Sequence, residues 1–189
     1  MIWAEHVKKL SSILNGLSVD RSDGSALGIK DAFLLWKETT LLIREQKKTI
    51  YLIGNGASAS MASHVAADLA KNVHVRAEVF SDLSLITALA NDMGYENVFV
   101  EPLRRRMCAG DMLVAISSSG QSPNVIRATE EAKHLGGFVV TLSAMKQDNR
   151  LKSMGMINFY VPAESYGLAE TCHAAILHCW IDQTIDNQA

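Results

Sequence analysis

Five short apolar runs recur from residue 49 onward: TIYLIG (49–54), AEVFS (77–81), MLVAIS (112–117), FVVTLS (138–143) and INFYVP (157–162). Runs that are apolar at every position, not at alternate ones, suit strands buried on both faces. The segments between them carry helical patterning. They start near Ser58, Ser84, Asn97 and Pro123, with a weak one near Asp148, and a long one runs from about Gly167 to Ile185. Strands separated by helices require parallel crossovers, so the expected fold is α/β with a five-stranded parallel sheet covered on both sides. Sheets of this kind bind ligands beyond the carboxyl ends of their strands, which directs attention to the loops there.

The first 48 residues differ. Trp3, Val7, Leu10, Ile13 and Leu14 form a helical stripe. SVDRSDGSALG reads as a polar break, and Ala26 to Gln46 as a second helix. Residues 1–48 are therefore expected to form a helical extension serving oligomerisation, and 49–189 the α/β core of one domain, a size that 189 residues suit. The net charge of −2 gives no basic footprint for nucleic acid. No apolar stretch approaches the roughly 20 residues a bilayer requires, and Glu5 interrupts any signal-like start. Cys108, Cys172 and Cys179 are odd in number and lack CxxC spacing, which suits free thiols in the cytoplasm.

Two loops stand out. GNGASAS (54–60) follows the first run; its glycines permit close backbone approach, and Ser58 sits where it could cap a helix. It lacks the Gly-Lys-Ser/Thr of a P-loop and the third glycine of a dinucleotide fingerprint. Ser117-Ser118-Ser119-Gly120-Gln121-Ser122-Pro123 follows the third run, with Pro123 suited to a first helical turn. Hydroxyls and free amides before a helix N-terminus suit a phosphate without lysine. One such loop can do no more than cap a helix; two, each at a strand's carboxyl end, point to a small phosphorylated ligand.

GNGASASMASHVAADL, ALAND (88–92) and GDMLVAISSSGQSPNVIRA (110–128) together resemble the sugar isomerase (SIS) domain, a flavodoxin-like fold, and within it the phosphoheptose isomerases. The likeness covers most of residues 45 to 187. It implies an aldose–ketose isomerase converting sedoheptulose 7-phosphate to a manno-heptose 7-phosphate or a close relative, working as a homotetramer. It implies phosphate contacts at Asn55, Ser58, Ser117, Ser119 and Ser122, within loops that include Gly56 and Ser118, and a sugar-binding or structural role for Asp92. It further implies an acid/base pair at Asp68 and His178, and zinc among His64, Asp68, Glu170 and His178.

The residues themselves bear on those roles. His64 and Asp68 are one helical turn apart and share a face. Glu170 and His178 are eight residues apart, about 12 Å along a helix axis, so they reach one point only from opposite ends. Two imidazoles and two carboxylates are reasonable zinc ligands, and carboxylates crowded together favour a cation between them. His173 fits a core histidine better. Two positions depart from the family pattern: its catalytic glutamate is Asp68 here, and its last-helix glutamine is Glu170. Two other readings stand beside the isomerase. One is a non-catalytic SIS protein binding a sugar phosphate or a protein partner, as the replication-initiator-binding members do; it has no need of an acid at 68 and a histidine at 178. The other is a sugar-phosphate sensor, whose usual DNA-binding domain has no counterpart in the first 48 residues.

Overall fold

The structure, a computed structural model, describes residues 2–185. Its six strands are β1 (Ser18–Asp20), β2 (Thr49–Ile53), β3 (Arg76–Val79), β4 (Met112–Ser117), β5 (Phe138–Ala144) and β6 (Ile157–Val161). The helices are α1 (Trp3–Asn15), α2 (Ile29–Glu45), α3 (Ala57–Asp68), α4 (Leu83–Met93), α5 (Val100–Arg106), α6 (Pro123–His134) and α7 (Tyr166–Thr184). The weak segment near Asp148 is one 3-10 turn, Arg150–Ser153.

All five apolar runs are strands, and they form the parallel part of one sheet. The expected count of five is corrected to six, because Ser18–Asp20 pairs antiparallel with β6. Its sequence looks like a turn because Val19 is its one apolar residue. Pairing with β6, the Leu27 amide on the Val19 carbonyl at 2.8 Å and the Asn158 side-chain amide on the Asp20 carbonyl at 3.0 Å hold it in place. These are long-range contacts that no local pattern announces. The two N-terminal helices therefore do not precede every strand.

The sheet order is β1-β6-β5-β4-β2-β3. Counting only the five parallel strands in chain order, this is 2-1-3-4-5, the flavodoxin-like winding. Its switch point, where the winding reverses, falls between β2 and β4. The GNG loop leaves β2 and the serine loop leaves β4, so both open into the crevice where such sheets bind ligands.

On one face Ala62 and Val65 of α3 and Leu168, Ala169 and Ile176 of α7 pack with Phe33 and Trp36 of α2 against β4, β5 and β6. Trp36 and Trp180 stack with ring centroids 4.0 Å apart and planes 12° from parallel, a pairing that adds about 0.5–1.5 kcal/mol to plain burial. The Trp180 indole N–H donates to Thr40 Oγ1 at 3.0 Å, so α7 is fixed to α2 in register. The other face is covered by α5 and α6 with Val98, Phe99 and Leu151.

His173 lies fully buried on α7, and neither ring nitrogen has a hydrogen-bond partner. Burial pushes its pKa down to about 4. An unfolded histidine titrates near 6.5. A depressed folded pKa means that the unfolded chain binds the proton first. The stability is therefore whole above about pH 6.5 and is lost as pH falls towards 4, by about 3 kcal/mol in total. His173→Gln should flatten this acid dependence, read by melting temperature between pH 7 and pH 4; an unchanged slope would place the acid sensitivity elsewhere.

Candidate active site

The chain leaves β2 through Gly54, where a Cβ would lie 2.6 Å from the Ser58 Cβ; only glycine lets the strand end approach the helix this closely. Gly56, at φ +56°, then turns the chain into α3 in a conformation side chains rarely adopt. Ser58 lies inside the first turn of α3 and is buried, so it does not cap the helix. Across the crevice, Ser122 precedes α6 and Pro123 opens it. Neither helix has a side-chain cap at its N-cap residue; the Ser58 and Ala59 amides of α3 donate to the Asn55 and Gly56 carbonyls at 3.0 Å, and the Val125 amide of α6 donates to Asn124 Oδ1 at 3.0 Å.

Ser58, Ser117, Ser118, Ser119 and Ser122 line one cavity of about 160 Å³ with Asn55, Tyr166 and Glu170. The Ser117 hydroxyl is 3.2 Å from that of Ser122 and 3.5 Å from that of Ser119, and Ser119 Oγ accepts from the Gln121 amide at 3.3 Å. Ser118 is buried with its hydroxyl unpartnered. Hydroxyls and amides are the donors here; among the described residues no lysine or arginine lines the cavity. Such a set can wrap the oxygens of a tetrahedral anion.

Further along α3, His64 Nε2 lies 3.4 Å from Asp68 Oδ2. From α7, the His178 ring stands 5.4 Å from that of His64. One ligand atom from each of His64, Asp68 and His178 falls within 4.8 Å of the others. A π-helical turn, Leu69–Val73, begins directly after Asp68. Two imidazoles and a carboxylate match a catalytic zinc site, which takes three protein ligands and keeps a position open. Glu170 does not join this group. It lies two turns nearer the start of α7, and its side chain lines the serine cavity instead. Asp92 is exposed near the end of α4, accepts from the Asn91 amide at 2.8 Å, and is not part of the cavity wall.

The chain thus places a hydroxyl-rich anion pocket and an imidazole–carboxylate cluster along the same two helices. A SIS domain family model matches residues 27–144. The phosphoheptose isomerase of Helicobacter pylori (strain Shi470) is 37% identical over 145 residues, 73% of this chain and 74% of that protein. That of Sulfurimonas denitrificans is 36% identical over 148 residues, 75% and 74% respectively. The chain belongs to the SIS domain family, in its phosphoheptose isomerase branch. This SIS domain also overlays the structure of a phosphoheptose isomerase from Neisseria gonorrhoeae with a TM-score of 0.82, at 26% identity and over 96% of both chains. As a member of that branch it is an enzyme, a sugar-phosphate isomerase.

Two residues beside the cavity were given no role from the sequence, although Asn124 stands in the segment GDMLVAISSSGQSPNVIRA (110–128) that carries the resemblance. Asn124 is buried, 69 residues from its partner Asn55, and Tyr95 reaches Asn55 from a 3-10 turn after α4. The amide spacing between distant loops has no periodicity to read. Tyr166, at the start of α7, lines the cavity opposite the serines and was equally silent.

Proposed function

We propose that this protein interconverts sedoheptulose 7-phosphate and a manno-heptose 7-phosphate, with the phosphate in the serine cavity and the reacting carbons at the His64–Asp68–His178 cluster. The observation that carries this reading is the spacing. Ser58 and His64 are six residues apart on α3, about 9 Å along its axis, and Glu170 and His178 are about 12 Å apart on α7. An extended sugar phosphate fits between two such ends. Glu170 stands near the phosphate end, where a carboxylate repels a dianion but accepts well from hydroxyls; it therefore favours a polyol chain beyond the phosphate.

Isomerisation removes a proton from the carbon beside the carbonyl and returns one to its neighbour, while a hydroxyl proton passes between the two oxygens. Asp68 has two carboxylate oxygens, so one is free to move the carbon-bound proton while the other faces His64. His178, opposite it, exchanges the oxygen-bound proton. His64, Asp68 and His178 would hold zinc, which when bound supplies positive charge to steady the developing oxyanion. The decisive assay presents a panel of ketose and aldose phosphates with and without zinc and follows isomer formation by NMR. Conversion of sedoheptulose 7-phosphate, with about one zinc per chain, is expected; conversion of none of the panel would overturn the assignment, and full activity in EDTA would overturn the metal.

The assembly is read as a homotetramer in the cytoplasm. Trp3 is 77% and Leu83 76% exposed, and Val7, Leu34, Leu35, Leu42 and Met93 are exposed with them. The outer faces of α1, α2 and α4 therefore carry more apolar surface than a monomer keeps in water. Among the described residues no helix is long and apolar enough to cross a membrane. Sedimentation at micromolar concentration should give a tetramer; an active monomer would refute it.

A further inference from the structure

Among the described residues, Asn55 alone lines both the serine cavity and a neighbouring, mostly apolar cavity of about 140 Å³ walled by Phe80, Ile86, Tyr95 and Phe99. Its side chain is held from outside the loop that carries it. Asn55 Nδ2 donates to Asn124 Oδ1 at 3.0 Å, and Asn124 Nδ2 donates back to Asn55 Oδ1 at 2.8 Å. The Tyr95 hydroxyl donates to the same Asn55 oxygen at 3.1 Å. Asn124 is itself fixed: it is 2% exposed, and its oxygen also accepts from the Val125 amide at 3.0 Å.

This arrangement uses both lone pairs of the Asn55 oxygen and one of its two N–H groups. An asparagine amide can turn end for end with little change of shape. Here the turn would set the Asn55 NH₂ against the Asn124 NH₂, whose own orientation the Val125 amide holds through Asn124 Oδ1, so the orientation of the pair is fixed. The second N–H of Asn55 is then left for a ligand oxygen on the serine-cavity side. Two of these hydrogen bonds tie the loop after β2 to the first turn of α6, the two elements that flank the serine cavity, and the third ties the same loop to the turn after α4.

We propose that Asn124 and Tyr95 are positioning residues of the sugar-phosphate site, acting through Asn55, whose remaining N–H they aim at the ligand. The inference rests on the sugar-phosphate reading of that cavity.

A double-mutant cycle tests it, with inorganic phosphate as the probe in calorimetry and sedoheptulose 7-phosphate in kinetics. Tyr95→Phe removes one hydroxyl from an exposed turn and leaves the ring, so folding is not at stake; Asn124→Ser is the second variant. Each should weaken phosphate binding about fivefold in the parent protein. In an Asn55→Ala background the same changes should cost less than about 1.5-fold, since the residue they act through is gone. KM should rise by a similar factor, with kcat held within about twofold, because the reacting carbons lie at the other end of α3. Equal losses with and without Asn55, or no loss from Tyr95→Phe, would overturn the proposal even if the serines bind phosphate. A parent protein that binds no phosphate would overturn it together with the site reading.

Discussion

Asp68→Asn is expected to lower turnover of sedoheptulose 7-phosphate by about 10²- to 10⁴-fold, the usual loss when a general base is removed. That is about 3 to 5 kcal/mol of barrier. The substitution keeps the side chain's shape and removes its charge. The Asp68 carboxylate is three-quarters buried between α3 and α7, so an amide of the same size leaves the packing intact. Phosphate affinity should survive, because the serine cavity lies at the other end of the helix. Asp68→Glu should be milder, since a carboxylate remains. If Asp68 were only a solvated helix residue, either change would shift stability by a few tenths of a kcal/mol and leave the rate alone. Initial rates and calorimetric phosphate binding on the two variants and the parent separate these outcomes; parental turnover in Asp68→Asn would remove Asp68 from the mechanism.

The second large effect belongs to the phosphate. Ser119→Ala combined with Ser122→Ala should weaken binding of inorganic phosphate and of sugar phosphate by about 10²-fold. Hydrogen bonds to a charged partner contribute about 1.5–3 kcal/mol each, so two together reach that size even with the loop amides still in place. Both serines are partly exposed at the cavity wall, unlike buried Ser117, so their loss removes donors without opening the core. Turnover at saturating substrate should change little. Unaltered affinity would take the serine loop out of the binding site.

The five parallel strands were legible because each is a short, mainly apolar run bounded by turns, β3 with its Arg76 and Glu78 being the least apolar. The crevice was legible too, since the winding of the five parallel strands leaves one switch point and both marked loops open there. His64 and Asp68 declared themselves by helical spacing. His178 did not: its place beside them depends on how α7 lies on α3, and only the resemblance supplied it. Glu170 shows the same limit from the other side. Its distance from His178 along the helix was already hard to reconcile with one shared ion, and packing sends its carboxylate into the serine cavity. Asn124 stands in the serine-loop segment that carried the resemblance, but its pairing with Asn55 could not be read, nor could Tyr95, because reciprocal amide pairing across 69 residues leaves no trace in composition or period.

β1 covers β6 over three residue pairs, and β6 carries Ile157, Phe159 and Val161, all buried. A bare strand edge of that character offers its unpaired N–H and C=O groups to the next molecule. A fragment beginning at residue 27, where the SIS match starts, would keep both ligand loops and lose this cover. Such a fragment is expected to clump on storage and on concentration where the full chain does not, the cover lost with Ser18–Asp20 being the cause.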